Sequence, residues 1–135
     1  MSIWPILQDD QLSPRAAAVI ADIRATRKTD FINNFWRVLA NDPALLERTW
    51  ASLKEVMAPG ALDPLVKEML YVAVSIANGC EYCIRSHTTA ARAKGMSEEQ
   101  LGELLAVVGM ASETNRLATG LQVPVDRAFL PGETV

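Results

Sequence analysis

The sequence predicts an all-α protein of about six helices, and three observations carry that reading. Helix-starting punctuation, a capping residue followed by proline or by a capping box, recurs at Ser13-Pro14, Asp42-Pro43, Asp63-Pro64 and Ser97. Between these signals the apolar residues return every three to four positions. No window alternates apolar and polar residues with period two between hairpin turn signals.

Each element follows in order. Ser13-Pro14 caps the first helix, RAAAVIADIRATRK. The segment Asp30–Ala40 reads as a second, with Phe31, Phe35, Val38 and Leu39 as its apolar stripe. Asp42-Pro43 opens a third, in which Leu46, Trp50, Leu53 and Met57 keep helical spacing, and Pro59-Gly60 ends it. The fourth runs from Asp63-Pro64 to about Asn78; it is apolar on most faces and is expected to be central. Gly79 breaks it, and a fifth helix begins near Cys80 and stops at Gly95. Ser97 and Gln100 form the capping box of a sixth, which Gly120 closes. Residues 1–12 and 121–135 read as irregular, because Pro124 and Pro131 cannot continue a helix. The apolar Trp4-Pro5-Ile6-Leu7 reads as packing onto its own domain, the alternative being an arm that covers a neighbouring subunit. Trp36, Trp50 and Phe35 read as core or interface residues.

Composition excludes several classes of function. The 135 residues suit one domain, and at 50% apolar and 21% charged they are too apolar for a disordered chain. A net charge of -3 offers nothing to the phosphate backbone of nucleic acid. The longest apolar run, Met69–Ala77, falls well short of the ~20 residues a membrane span needs, so no membrane partner is expected. The start MSIWPILQDD has neither a basic n-region nor an adequate apolar h-region, so the expected location is cytoplasmic. Structural disulfides are rare there. The two cysteines therefore read as catalytic or metal-binding, and both lie within eight positions of the one histidine.

That cluster is Gly79-Cys80-Glu81-Tyr82-Cys83-Ile84-Arg85-Ser86-His87. At 100° per residue, Cys80, Cys83 and His87 fall within about 60° of one another on a helix. His87 lies one turn beyond Cys83, and the free N–H groups of a first turn favour a thiolate. The cluster thus supplies a nucleophile, a second thiol to resolve it and a base to activate it. Glu68 sits among Leu65, Met69, Leu70 and Val72, where a carboxylate is costly without a partner. If the fourth and fifth helices form a hairpin, Glu68 meets His87, orients the imidazole and helps it take a thiol proton. Burial would raise the Glu68 pKa and a protonated His87 would oppose the rise.

Other readings of these residues exist. A C-x-x-C pair is also a zinc half-site, which would need Glu68 and His87 as further ligands. Covalent haem attachment needs His directly after the second Cys, where this chain has Ile84. A structural disulfide would close too small a loop to stabilise much. His87 could be a satisfied core histidine, and Glu68 the partner of Arg92 or Arg116 in a structural ion pair. Helix-dipole logic makes Cys80 the more acidic thiol, while the nearby base favours Cys83.

The pattern Glu68, eleven residues, Cys80, two residues, Cys83, three residues, His87 resembles the signature of alkylhydroperoxidase D-like proteins of the carboxymuconolactone decarboxylase superfamily. The resemblance is best over about Leu62 to Gly120. It implies a single all-α domain whose core, residues 61–120, packs around a helical hairpin, with residues 1–60 a helical N-terminal extension and 121–135 an irregular tail. It implies homo-oligomers, trimers or hexamers. It also implies a thiol peroxidase or disulfide reductase that reduces hydroperoxides: Cys83 the peroxidatic thiol, Cys80 the resolving one, and Glu68 and His87 the proton relay. A dithiol reductant, often a lipoyl-bearing protein, would regenerate the thiols, and no metal, flavin or haem cofactor is required. In one branch the residue before the second Cys is a relay histidine; here Tyr82 can donate a hydrogen bond or hold a water instead. The resemblance and the adjacent base together favour Cys83 as nucleophile. Two alternatives use the same residues differently: a non-enzymatic oligomeric redox sensor, and a small-ring lyase with Glu68 and His87 as acid and base.

Overall fold

The computed structural model describes residues 2–132. All regular structure among them is helical: α1 (Pro14–Arg27), α2 (Asn34–Leu39), α3 (Pro43–Met57), α4 (Pro64–Ala77), α5 (Glu81–Ala93) and α6 (Glu98–Gly120), with short 3-10 turns at Asp9–Gln11 and Arg127–Phe129. The expected caps are formed. Ser13, Asp42 and Asp63 accept backbone N–H bonds at the starts of α1, α3 and α4, and Ser97 and Gln100 complete a reciprocal capping box at α6. The chain divides after Ala58 into two compact units.

The first unit has a core of its own. Ala16, Val19, Ile20 and Ile23 line the inner face of α1, and with Ile32, Trp36, Ala40, Leu46 and Trp50 they form one buried cluster. Trp36 and Trp50 meet edge to face with centroids 5.5 Å apart, the arrangement the aromatic quadrupole favours. The Trp50 indole N–H donates to Asp22 at 2.6 Å, so its polar atom is satisfied at the edge of the core. The N-terminal arm packs onto this unit: the Leu7 amide donates to the Arg37 carbonyl, Asn41 donates to the Pro5 carbonyl, and Leu7 packs against the core, while Ile3 and Trp4 stay exposed.

Helix α2 is shorter than the sequence suggests. It starts at Asn34, not Asp30, because side chains hold the preceding backbone in a non-helical path: Arg24 donates to the Asp30 carbonyl and Thr29 accepts from the Phe31 amide. The buried stripe is consequently Ile32, Trp36 and Ala40, and Phe31 and Phe35 face outward.

In the second unit α4 and α5 pack as a helical hairpin, and α6 packs on α4. The reversal between α4 and α5 takes three residues, Asn78 to Cys80. Gly79 adopts φ +69°, and the Gly79 and Cys80 amides donate back to the carbonyls of Ile76 and Ser75. This is a Schellman closure. It ends α4 and leaves Cys80 as the N-cap of α5 in the next residue. On α4 the covered face carries Glu68, Val72 and Ser75, whereas Val66, Leu70 and Val74 form a second apolar stripe that is exposed in the single chain. Along the 23 residues of α6 only Leu104 is buried, and Val107, Met110 and Leu117 are exposed.

No neighbouring atom lies within 4 Å of the position a Gly79 Cβ would take, so only the left-handed backbone resists substitution. Gly79→Ala is expected to cost about 1 kcal/mol of stability in urea unfolding, and Gly79→Asn less, since Asn tolerates that conformation. Equal stability of all three proteins would contradict this role for Gly79.

Candidate active site

The inner face of α4 presents Glu68 and, one turn later, Tyr71 toward α5. Glu68 is 6% exposed. Its Oε2 lies 2.7 Å from His87 Nδ1, and its Oε1 accepts from Lys94 Nζ at 3.0 Å. An ionised carboxylate only accepts, so the hydrogen of this bond is on His87 Nδ1, and in the neutral ring Nε2 is the nitrogen that accepts. The His87 ring also stacks on Tyr71, with centroids 3.6 Å apart and planes 17° from parallel. Cys80 and Cys83 are half-buried free thiols, and the Cys83 amide donates to Cys80 Sγ at 3.4 Å.

The charges are set by these contacts. Burial pushes the Glu68 carboxyl up, but hydrogen bonds from His87 and Lys94, with the Lys94 charge, outweigh it and hold the group below the ordinary glutamate range. The thiols differ in the opposite sense to the one the neighbouring base suggested. Hydrogen bonds from the Cys83 side chain and backbone lower the Cys80 thiol. Burial, then the Cys80 sulfur as hydrogen-bond partner and as charge, push Cys83 up to about 11. The contrast comes from burial of Cys83 and from the hydrogen bonds Cys80 receives from Cys83, one of them the backbone N–H at the cap of α5.

The hairpin therefore brings Glu68 and His87 into contact across 19 residues of chain. The ion-pair partners weighed for Glu68 are not its partners here: Arg92 pairs with Glu98, and Lys94 takes the second oxygen of Glu68. Tyr82 is 44% exposed on the outer side of the first turn of α5. Lys94 and Tyr71 escaped the sequence reading, although each carries a signal. Lys94 lies seven residues beyond His87, on the face that holds Cys80, Cys83 and His87, and Tyr71 lies three beyond Glu68. Among the described residues no three His, Cys, Asp or Glu side chains are gathered as a metal site would require. A cavity of about 390 Å³ between α4, α5 and α6 is lined by Val72, Ile76, Ile84, Leu101 and Leu105 with Arg85 and Arg92 at its edge; its walls include neither thiol.

Comparison with known proteins agrees with this architecture. The sequence profile of the carboxymuconolactone decarboxylase family matches residues 43–126, and the chain belongs to that family. Its fold is alkylhydroperoxidase D-like: it is similar to the crystal structure of an alkylhydroperoxidase AhpD core from Rhodospirillum rubrum, with a TM-score of 0.93 and 57% identity over 96% of this chain and 97% of that one. It is 32% identical over 82 residues to an uncharacterized protein of Cupriavidus necator, covering 61% of this chain and 73% of that protein. It is 40% identical over 72 residues to alkyl hydroperoxide reductase AhpD of Solibacter usitatus, covering 53% of this chain but only 39% of that reductase. Among the described residues no helix is long and apolar enough to cross a membrane.

The depressed Glu68 value makes a prediction about stability. A carboxylate held below its unfolded value of 4.5 stabilises the fold at higher pH, and that contribution disappears as pH falls through the depressed value. Wild type is expected to melt above Glu68→Gln at pH 6, with the gap closing as the pH drops below about 4.5. Thermal melts of both proteins between pH 3 and pH 7 check this, and a gap that persists unchanged at pH 3 argues against it.

Proposed function

We propose that this protein is a thiol-dependent peroxidase and disulfide reductase that reduces hydroperoxides through Cys80 and Cys83. The single observation that carries the reading is the hydrogen bond between Glu68 and His87, which leaves an oriented base one turn from a C-x-x-C pair at a helix start. The relatives named as alkyl hydroperoxide reductases support it.

His87 Nε2 takes the Cys83 proton, and the thiolate attacks the peroxide O–O bond. Cys83 becomes a sulfenic acid, and the leaving alkoxide takes the proton from His87 and departs as an alcohol. Cys80 then attacks the sulfenic sulfur and releases water, giving the Cys80–Cys83 disulfide. An external dithiol reduces it by exchange and leaves as its own disulfide; a lipoyl-bearing protein has the required chemistry. Glu68 stays ionised throughout, holding Nδ1–H and balancing the imidazolium. Tyr82 contributes at most a hydrogen bond from its hydroxyl. A second assignment of the thiols is favoured by the Cys83 amide donating to Cys80 Sγ, which favours a Cys80 thiolate, and would make Cys80 the attacking sulfur and Cys83 the resolving one.

The working form is proposed to be a cytoplasmic homo-oligomer. The exposed stripes of α4 and α6 supply the apolar surface that a neighbouring copy would cover. In sedimentation analysis, Met110→Glu with Leu117→Glu is expected to shift the protein to a smaller species; an unchanged sedimentation coefficient would remove α6 from the interface.

Cys83→Ser is expected to abolish hydroperoxide consumption in the presence of excess dithiol. Cys80→Ser, given one equivalent of cumene hydroperoxide without reductant, should stop at a sulfenic acid on Cys83 that dimedone traps and mass spectrometry locates. If the thiol roles are reversed, the trapped acid appears on Cys80 in Cys83→Ser instead. Turnover at the wild-type rate by both variants would rule out the thiol mechanism.

A further inference from the structure

Glu68 alone does not fix the base. A single in-plane hydrogen bond at Nδ1 does not by itself set the tilt of the imidazole plane. The second constraint is Tyr71, whose ring lies 3.6 Å from the imidazole, centroid to centroid, and 17° from parallel. The hydrogen bond acts in the imidazole plane and the stack acts perpendicular to it. Both partners come from the same face of α4, three residues apart, so one rigid element sets both.

We propose that Tyr71 is a positioning residue of the proton relay: its ring face fixes the plane of the His87 imidazole and stabilises the imidazolium formed when His87 takes a thiol proton. The inference rests on His87 acting as the base described above. A cation over an aromatic face is attracted by the ring quadrupole, so the stack is stronger for imidazolium than for neutral imidazole. The ionisable groups at the His87–Tyr71 pair are Glu68 on α4, bonded to His87, Lys94 at the end of α5, which reaches Glu68, and Cys80 and Cys83 on α5, whose charges act on Tyr71. Burial, with the charges of Cys83, Cys80 and Glu68, pushes the Tyr71 hydroxyl up, so the ring remains a neutral phenol beside the reacting thiols. What the relay uses is the face and not the hydroxyl.

The test uses the 135-residue chain with position 71 as tyrosine, phenylalanine or leucine. Pentafluorophenylalanine at the same position keeps the ring shape but removes the negative face, so it remains informative if the leucine variant unfolds. The primary readout is the rate of Cys83 alkylation by iodoacetamide at pH 7 in a Cys80→Ala background, which reports thiolate formation without any peroxide. Tyr71→Phe should alkylate within twofold of wild type, while Tyr71→Leu and the pentafluoro variant should alkylate about two- to fivefold more slowly. With Cys80 intact, hydroperoxide turnover of the same position-71 variants should fall in parallel, in kcat and not in KM. Equal alkylation by all four proteins would overturn the proposal, as would a loss in Tyr71→Phe as large as that in Tyr71→Leu. A His87→Ala control that alkylates like wild type would overturn it together with the base role of His87. A wild type that alkylates as expected but consumes no hydroperoxide would sink the peroxidase reading while the alkylation series still decides the role of Tyr71.

Discussion

The hydrogen bond between Glu68 and His87 is the constraint on which the α4–α5 hairpin depends. A carboxylate with 6% exposure would be driven toward its neutral form without partners, and a protonated acid would lose most of its hold on an imidazole. Here each oxygen has one donor, His87 on one side and Lys94 on the other. Because those donors lie near the middle and at the end of α5, the carboxylate fixes how far α5 slides along α4 as well as its rotation. The Schellman closure at Gly79 fixes the other end. With both ends set, Cys80 can only be the cap of α5 and Cys83 can only lie a turn before His87.

That geometry separates two properties that one thiol does not combine. Hydrogen bonds from the Cys83 side chain and from the Cys83 amide at the cap hold the Cys80 thiol below its ordinary range. The same arrangement raises Cys83 to about 11, because burial and the Cys80 sulfur both oppose a second negative charge. A thiol whose pKa is raised is the stronger nucleophile once ionised and the less often ionised unaided. On the proposed mechanism the base is therefore indispensable to Cys83, and a relay of fixed geometry beside it has a physical reason. Cys80, as the weaker nucleophile and the better leaving group, suits the later exchange with an external dithiol.

The local features were legible in the sequence because they depend on residues close together along the chain. Caps at Ser13, Asp42, Asp63 and Ser97, the shared face of Cys80, Cys83 and His87, and the anomalous burial of Glu68 all follow from helical period and the cost of a lone charge. The misreadings share a cause. Phe31 fits the apolar period of a helix that begins at Asp30, while the hydrogen bonds that hold residues 30 and 31 out of α2 come from Arg24 in the last turn of α1 and from Thr29 just after it. Arg92 was a reasonable partner for Glu68 by charge alone, yet Glu98 lies closer to it across the α5–α6 turn. Periodicity gives the face of a helix but not the rotation of its neighbour, and the rotation decides which cation reaches a buried carboxylate.

On the proposed mechanism, Lys94 and Tyr71 act on the relay in opposite senses. A buried Glu68 paired with His87 alone would face its largest desolvation penalty whenever His87 is uncharged, which is the state in which His87 must act as a base. Lys94 supplies a permanent positive partner at 3.0 Å, so the carboxylate stays ionised while the imidazole is neutral. The same lysine then weakens the pull of Glu68 on the imidazolium once the proton has moved, because part of the carboxylate charge is already compensated. Tyr71 offsets that weakening through its ring face without introducing a further titrating charge. On that proposal, a carboxylate kept charged by one neighbour and an imidazolium supported by another would let the proton move between Cys83 and His87 without either resting state becoming a trap.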